Sequence, residues 1–238
     1  MRHFLGWRKM FGVPTPWVNT CVQPEYDAMC PPGVTNHISR MHVPDMKVSS
    51  DTDFEMAVTA LFDALGPAID RVVTCRPDHL VLGISALAIW GSSLASSRKL
   101  AADMVKRTGH DIGVSLAGDA VLEALARYGV KKKIAIVEPY YPVIQPRMTS
   151  FFSEAGFDIV RFNHMQGPQF TEYTRVSAMW KPLVQFGANL PLAGLADEAE
   201  HWLGNPVISV NIATYWHALR HSGIDDKVQG WTRLLSEF

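Results

Sequence analysis

The sequence predicts an α/β fold of two pseudo-symmetric halves, each a parallel sheet flanked by helices, with an anion-binding pocket where they meet. Three observations predict it. Short apolar runs alternate with stretches of helical periodicity, the pattern of a parallel, helix-covered sheet. Segments of the first half recur in the second. Small polar residues follow several apolar runs, where open α/β sheets gather ligands.

Residues 10–13 read as a strand, and 34–43 contain a second. Residues 52–73 follow with Phe54, Ala57, Val58, Leu61, Phe62 and Leu65 at helical spacing, and Ser50 or Asp51 is a suitable N-cap. Residues 80–85 read as a strand, 96–107 as a helix and 112–115 as a strand. A helix at 120–128 ends at Gly129, a residue suited to the position after a helix. Strands at 133–137, 157–162, 182–186 and 206–210 alternate with helices at 143–155, 171–179, 192–203 and 214–221. The division expected is a first lobe of residues 1–113 with 214–238, and a second lobe of 114–213.

The repeat pairs Gly91–Ser115 with Gly187–Asn211, which have the same separation. Arg8–Pro14 likewise pairs with Lys132–Glu138. Each half then offers two strand-end loops. These carry Asn19 and Thr20, Ser92 and Ser93, Tyr140 and Tyr141, and Asn189. Glycine at 91 and 187 lets the backbone turn sharply and approach a ligand. Amide hydrogens at two facing helix starts would cradle a carboxylate. The plainer reading is that Ser92, Ser93 and Asn189 only cap helices.

Composition limits the function. The chain has 238 residues, 47% hydrophobic and 19% charged, enough apolar material for a core. A net charge of −1 provides no basic face, so nucleic acid is not expected as a partner. Three cysteines are too few for a disulfide framework and suit a reducing, cytoplasmic setting. No signal peptide is expected. The most apolar stretch, 80–95, is too short for a membrane span. No glycine-rich dinucleotide fingerprint follows a strand, so no cofactor is expected. The expected partner is a small carboxylate, and homo-oligomerisation is left open.

These residues resemble the aspartate/glutamate racemase superfamily, in its maleate isomerase and arylmalonate decarboxylase branch. The segment Val13–Glu25, with Asn19, Thr20 and Glu25, resembles the N-terminal loop of maleate isomerases. Trp90–Leu94 resembles the Gly-Thr-Ser loop of the decarboxylase. Glu138-Pro139-Tyr140 falls where that family has a substrate-binding tyrosine. Gly187–Leu190, followed by 203–207, matches the second-half catalytic loop by spacing. The resemblance implies two Rossmann-like lobes without a nucleotide, the active site between them, and cofactor-independent proton chemistry beside a carboxylate held by Ser92, Ser93 and Tyr140. It implies a decarboxylase, another lyase or an isomerase. The family uses one cysteine per half or keeps only the second. Here Gly91 and Gly187 take those places, so the thiol mechanism does not carry over.

The expected catalytic residues are therefore Tyr140, Ser93, His217 and Glu138. Asn19, Thr20, Ser92, Ser93, Tyr140, Gly187, Ala188 and Asn189 are expected to bind substrate. His164 and Cys21 are further candidate proton carriers, and a loop at 165–170 could cover the pocket. A hydrolase using water, and a carboxylate-binding protein without turnover, are alternatives. His217 and His221 are four apart on a helix, but no Glu-containing zinc motif surrounds them, so no metal is expected.

Overall fold

The structure is a computed structural model that describes residues 4–44, 46, 48–165 and 182–238. Two four-stranded parallel sheets build it. The first half runs β1 (Lys9–Pro16), α1 (Val22–Ala28), β2 (Val34–Met41), α2 (Asp51–Val72), β3 (His79–Val81), α3 (Ser85–Ile89), α4 (Leu94–Thr108), β4 (Gly113–Ser115) and α5 (Ala117–Arg127). The second runs β5 (Lys133–Glu138), α6 (Ile144–Glu154), β6 (Asp158–His164), β7 (Leu183–Gln185), α7 (Ala193–Leu203), β8 (Val207–Ser209) and α8 (Val210–His221), then a short α9 (Arg233–Ser236).

The sheets have the same order, β2-β1-β3-β4 and β6-β5-β7-β8. All pairings are parallel. The pairing of segments 8–14 and 132–138 corresponds to β1 and β5, which occupy the same place in their sheets. Their central residues are buried, as strands covered on both faces require. The first sheet takes all of Gly113–Ser115, two residues beyond the division expected at 113.

Local chemistry explains most boundaries. Ser50 caps α2 by accepting the Asp53 amide hydrogen. Gly129 takes a φ of +68°, which an L side chain rarely adopts. The apolar run after β3 departs from expectation. The strand stops at Val81, and Ser85–Ile89 winds into a fully buried helix. A short apolar run surrounded by core carries no periodicity, so strand and helix look alike in it. Helix α1 was likewise not expected, and α8 starts at Val210 rather than 214. The helix expected at 171–179, and the covering loop apart from Met165, lie outside the described residues.

The closing helices cross between the sheets. Helix α8 follows β8 but packs on β3, β4 and α5. Helix α5 follows β4 and touches β8. In the second half, Phe152 is fully buried and meets Phe151 and Phe186 edge to face, with ring centroids 5.4 and 5.9 Å apart. Phe186 directly precedes Gly187, so this packing supports the loop after β7. Phe152→Ala should cost about 3–5 kcal/mol in denaturant unfolding. A cost below about 1 kcal/mol would show that the loop rests on something else.

Candidate functional site

The strand ends set the geometry. β3 and β7 both run into a glycine two residues on, Gly83 and Gly187. The loop pairs across the lobes are thus Leu82–Ser85 and Phe186–Asn189. Gly91, the expected partner of Gly187, lies instead between α3 and α4.

Ser85 joins the two loops. Its Oγ accepts the Ala188 amide hydrogen at 3.1 Å and lies 2.5 Å from the Tyr140 hydroxyl. Ser85 is fully buried, and Tyr140 is packed against Phe54, with ring centroids 5.7 Å apart. Burial holds the Tyr140 phenol protonated, above its ordinary value. A donor triad results: two hydroxyls and one backbone N–H, contributed by α3, the loop after β5 and the loop after β7.

The Gly187 loop is held from several sides. Asn19 Nδ2 and Asn211 Nδ2 both donate to the Ala188 carbonyl, at 3.1 and 3.0 Å. Gln185 Nε2 donates to the Gly187 carbonyl at 2.6 Å. Asn189 Oδ1 accepts the Thr20 amide hydrogen at 2.9 Å. Asn19 Oδ1 meanwhile accepts the amide hydrogens of Cys21 and Val22 and so starts α1. Glu25 on α1 accepts from Asn211 Nδ2 at 2.5 Å and from the Ala193 amide at 3.3 Å. Burial raises the Glu25 carboxyl to about 7, and those hydrogen bonds oppose the rise. The sequence-predicted residues Asn19, Thr20, Tyr140, Gly187, Ala188 and Asn189 therefore come together.

Beside them lies a buried carboxyl. Glu138 Oε2 accepts the Tyr140 amide hydrogen at 2.5 Å, and His164 Nδ1 abuts Glu138 Oε1. Burial raises Glu138 to about 8 and holds the His164 imidazole below its ordinary value. Burial thus favours the protonated carboxyl and the neutral imidazole.

Other expected residues lie elsewhere. Ser93 caps α4 in a reciprocal capping box with Ser96, so its hydroxyl is used locally. Ser92 has a φ of +63° and shares that turn. His217 bonds Ser115 Oγ through Nδ1 at 2.7 Å and faces Glu123 through Nε2 at 3.5 Å, so its partners lie on β4 and α5. Burial lowers it to about 4. Tyr141 donates to the Val48 carbonyl at 2.7 Å. Burial, with Glu25 nearby, raises the Cys21 thiol, which works against a reactive thiolate.

Sequence reasoning missed Ser85. Its signal was present: Gly83-Ile84-Ser85 follows its strand as Gly187-Ala188-Asn189 follows its own.

Neither glycine leaves room for a thiol. A Cβ at Gly187 would come within 2.4 Å of Pro139 Cδ, and one at Gly83 within 2.9 Å of Thr15 Cβ. Two surface concavities lie apart from this group. One is lined by residues including His37, Arg40 and Arg71, the other by residues including Met46, Glu55 and Met56.

No protein-family profile and no curated protein sequence matches the chain. Solved structures do match. The maleate cis-trans isomerase of Nocardia farcinica superposes with a TM-score of 0.81 over 97% of this chain and 99% of that one, at 18% identity. The chain has the maleate isomerase fold. The maleate isomerase of Pseudomonas putida gives 0.81 over 96% and 98%, also at 18% identity. Arylmalonate decarboxylase shares this fold at a TM-score of 0.70 over 96% and 100%, at 19% identity. Among the described residues, no helix is long and apolar enough to cross a membrane.

Two outcomes are expected. Gly187→Ala should lose about 1–3 kcal/mol, because the Pro139 ring cannot rotate away. A full-stability variant would show that the loop can shift freely. The second concerns pH. Glu138 and Glu25 rise from an ordinary value of 4.5 to about 8 and about 7 on folding. Below pH 4.5 both folded and unfolded chains hold these protons, and nothing is lost. Above it the unfolded chain ionises first, so stability falls with rising pH, by up to about 1.4 kcal/mol per unit for each group. Between pH 7 and 8, Glu138 carries the decline, and Glu138→Gln should flatten it in thermal melts. A profile unchanged by that substitution would contradict the assignment.

Proposed function

We propose that the chain is a cofactor-independent enzyme that acts on a small carboxylic acid, as a decarboxylase, another lyase or an isomerase. One observation carries the reading: Ser85 Oγ sits between the Tyr140 hydroxyl and the Ala188 amide and joins the strand-end loops of both sheets. Three donors at one point suit the two oxygens of a carboxylate. When the neighbouring carbon loses CO2, or gives up a proton to the neutral His164 imidazole or to water, the electron pair left behind moves onto those oxygens as an enediolate. Donors fixed in advance stabilise that charge as it forms, without reorganising.

The carbon then needs a proton. Burial favours a protonated Glu138, the state a donor must have, and His164 beside it can return a proton from water. Asn19, Asn211 and Thr20 act indirectly, by holding the loop that carries Ala188 and Asn189. Ser92, Ser93 and His217 have no part in this scheme.

The Nocardia farcinica isomerase has been trapped with a covalent succinylcysteine. The loops after β3 and β7 here contain no cysteine, and packing closes the space at both glycines. The scheme therefore uses no thiol. The two sheets would act as the two lobes, and three unpaired cysteines suit the cytoplasm.

The test is incubation with substituted malonates and cis-dicarboxylates in D2O, followed by NMR. Deuterium should appear on the carbon beside the retained carboxylate. Tyr140→Phe and Ser85→Ala should each lower turnover tenfold or more. Thermal-shift binding without product would make the chain a carboxylate carrier. Neither binding nor turnover would remove the carboxylate reading.

A further inference from the structure

Behind the first sheet lies a second polar cluster that the proposed chemistry does not use. Helix α8 presents His217 and His221 one turn apart, with their rings stacked at 14° and centroids 3.9 Å apart, so the half-exposed His221 ring must turn for both Nε2 lone pairs to meet at one ion. Helix α5 supplies Glu123 opposite them. Glu123 Oε2 is 3.5 Å from His217 Nε2 and 2.9 Å from His221 Nε2. The three atoms lie within 4.8 Å of one another. Metal bonds of about 2.0–2.1 Å at tetrahedral angles would separate ligand atoms by roughly 3.3 Å. The two Glu123–histidine spacings lie on either side of that value.

A second observation points the same way. His217 Nδ1 bonds Ser115 Oγ at 2.7 Å, and Ser115 Oγ lies 2.8 Å from His79 Nε2. His79 and Ser115 are buried. This chain fixes the His217 ring so that Nε2 faces Glu123. Metal-ligating histidines are held in the same way, by a partner on the far nitrogen.

We propose that Glu123, His217 and His221 form a binding site for a divalent transition metal of the zinc class, with a fourth position open to water. Two imidazoles and one carboxylate suit zinc better than magnesium or calcium, which favour oxygen ligands. The ion would clamp α5 to α8, the two helices that cross between the sheets.

Tag-free full-length protein tests this with Co2+ and Zn2+. Co2+ should bind at one equivalent with the visible d–d bands of a four-coordinate ion, and Zn2+ should displace it. Zn2+ at 100 times its Kd should raise Tm by about 5–10 °C. His221 is half-exposed, so His221→Ala should fold and yet bind Co2+ at least about 100-fold more weakly. Ser115→Ala should weaken binding about 10- to 100-fold. Glu123→Gln gives an independent check should His221→Ala unfold. Absence of d–d bands, or Co2+ affinity in His221→Ala and Glu123→Gln equal to that of the unsubstituted protein, would overturn the proposal.

Discussion

The contact on which the site depends is the bridge through Ser85 Oγ. It takes a backbone hydrogen from one sheet's loop and shares a hydrogen bond with a tyrosine from another loop. Ser85 and Ala188 are buried and Tyr140 is partly buried, so a buried member left without a partner would cost about 1–3 kcal/mol. In the free protein they satisfy one another. Under the proposed reading, a bound carboxylate would replace these internal bonds with equivalent ones and leave no polar group unpaired. Such an exchange would make a buried donor cluster compatible with both stability and binding.

The rest of the site keeps those donors in place. Ala188 stays where it is because its carbonyl accepts two asparagine amides, one from each half of the chain. Gly187 must remain glycine because Pro139 occupies the space beyond it. Pro139 sits between Glu138 and Tyr140, so three consecutive residues do different work. One carries a proton, one excludes a side chain, and one supplies a hydroxyl.

Much of the fold was legible in the sequence, because alternating buried strands and amphipathic helices leave a periodic trace. The second-half loop was legible too, since Gly187 follows a clear strand. The first-half loop was not. Residues 80–90 are apolar throughout, and that run hides the change from strand to helix at Ser85. Gly91 and Ser92 matched Gly187 in spacing, but a short helix intervenes and moves them away. Ser93 looked like a ligand because helix caps and anion sites use the same residue types. Glu123 stands far from His217 in sequence, and only the packing of α5 on α8 brings the two side chains together.

Two kinds of contact hold the halves together, and their strengths differ. At the strand ends the contacts are hydrogen bonds, each worth about 1 kcal/mol net. Across α5 and α8, beside the polar contacts of Glu123 with His217 and His221, they are largely apolar. Val121, Leu125, Trp216 and Leu219 are fully buried there, and each such side chain contributes about 1.5–3 kcal/mol. The helices therefore supply most of the adhesion, and the loops need not. Donors that are not needed to hold the halves together can turn to a ligand without loosening the fold. This separation explains how a polar cluster can lie at the junction of two sheets without weakening it.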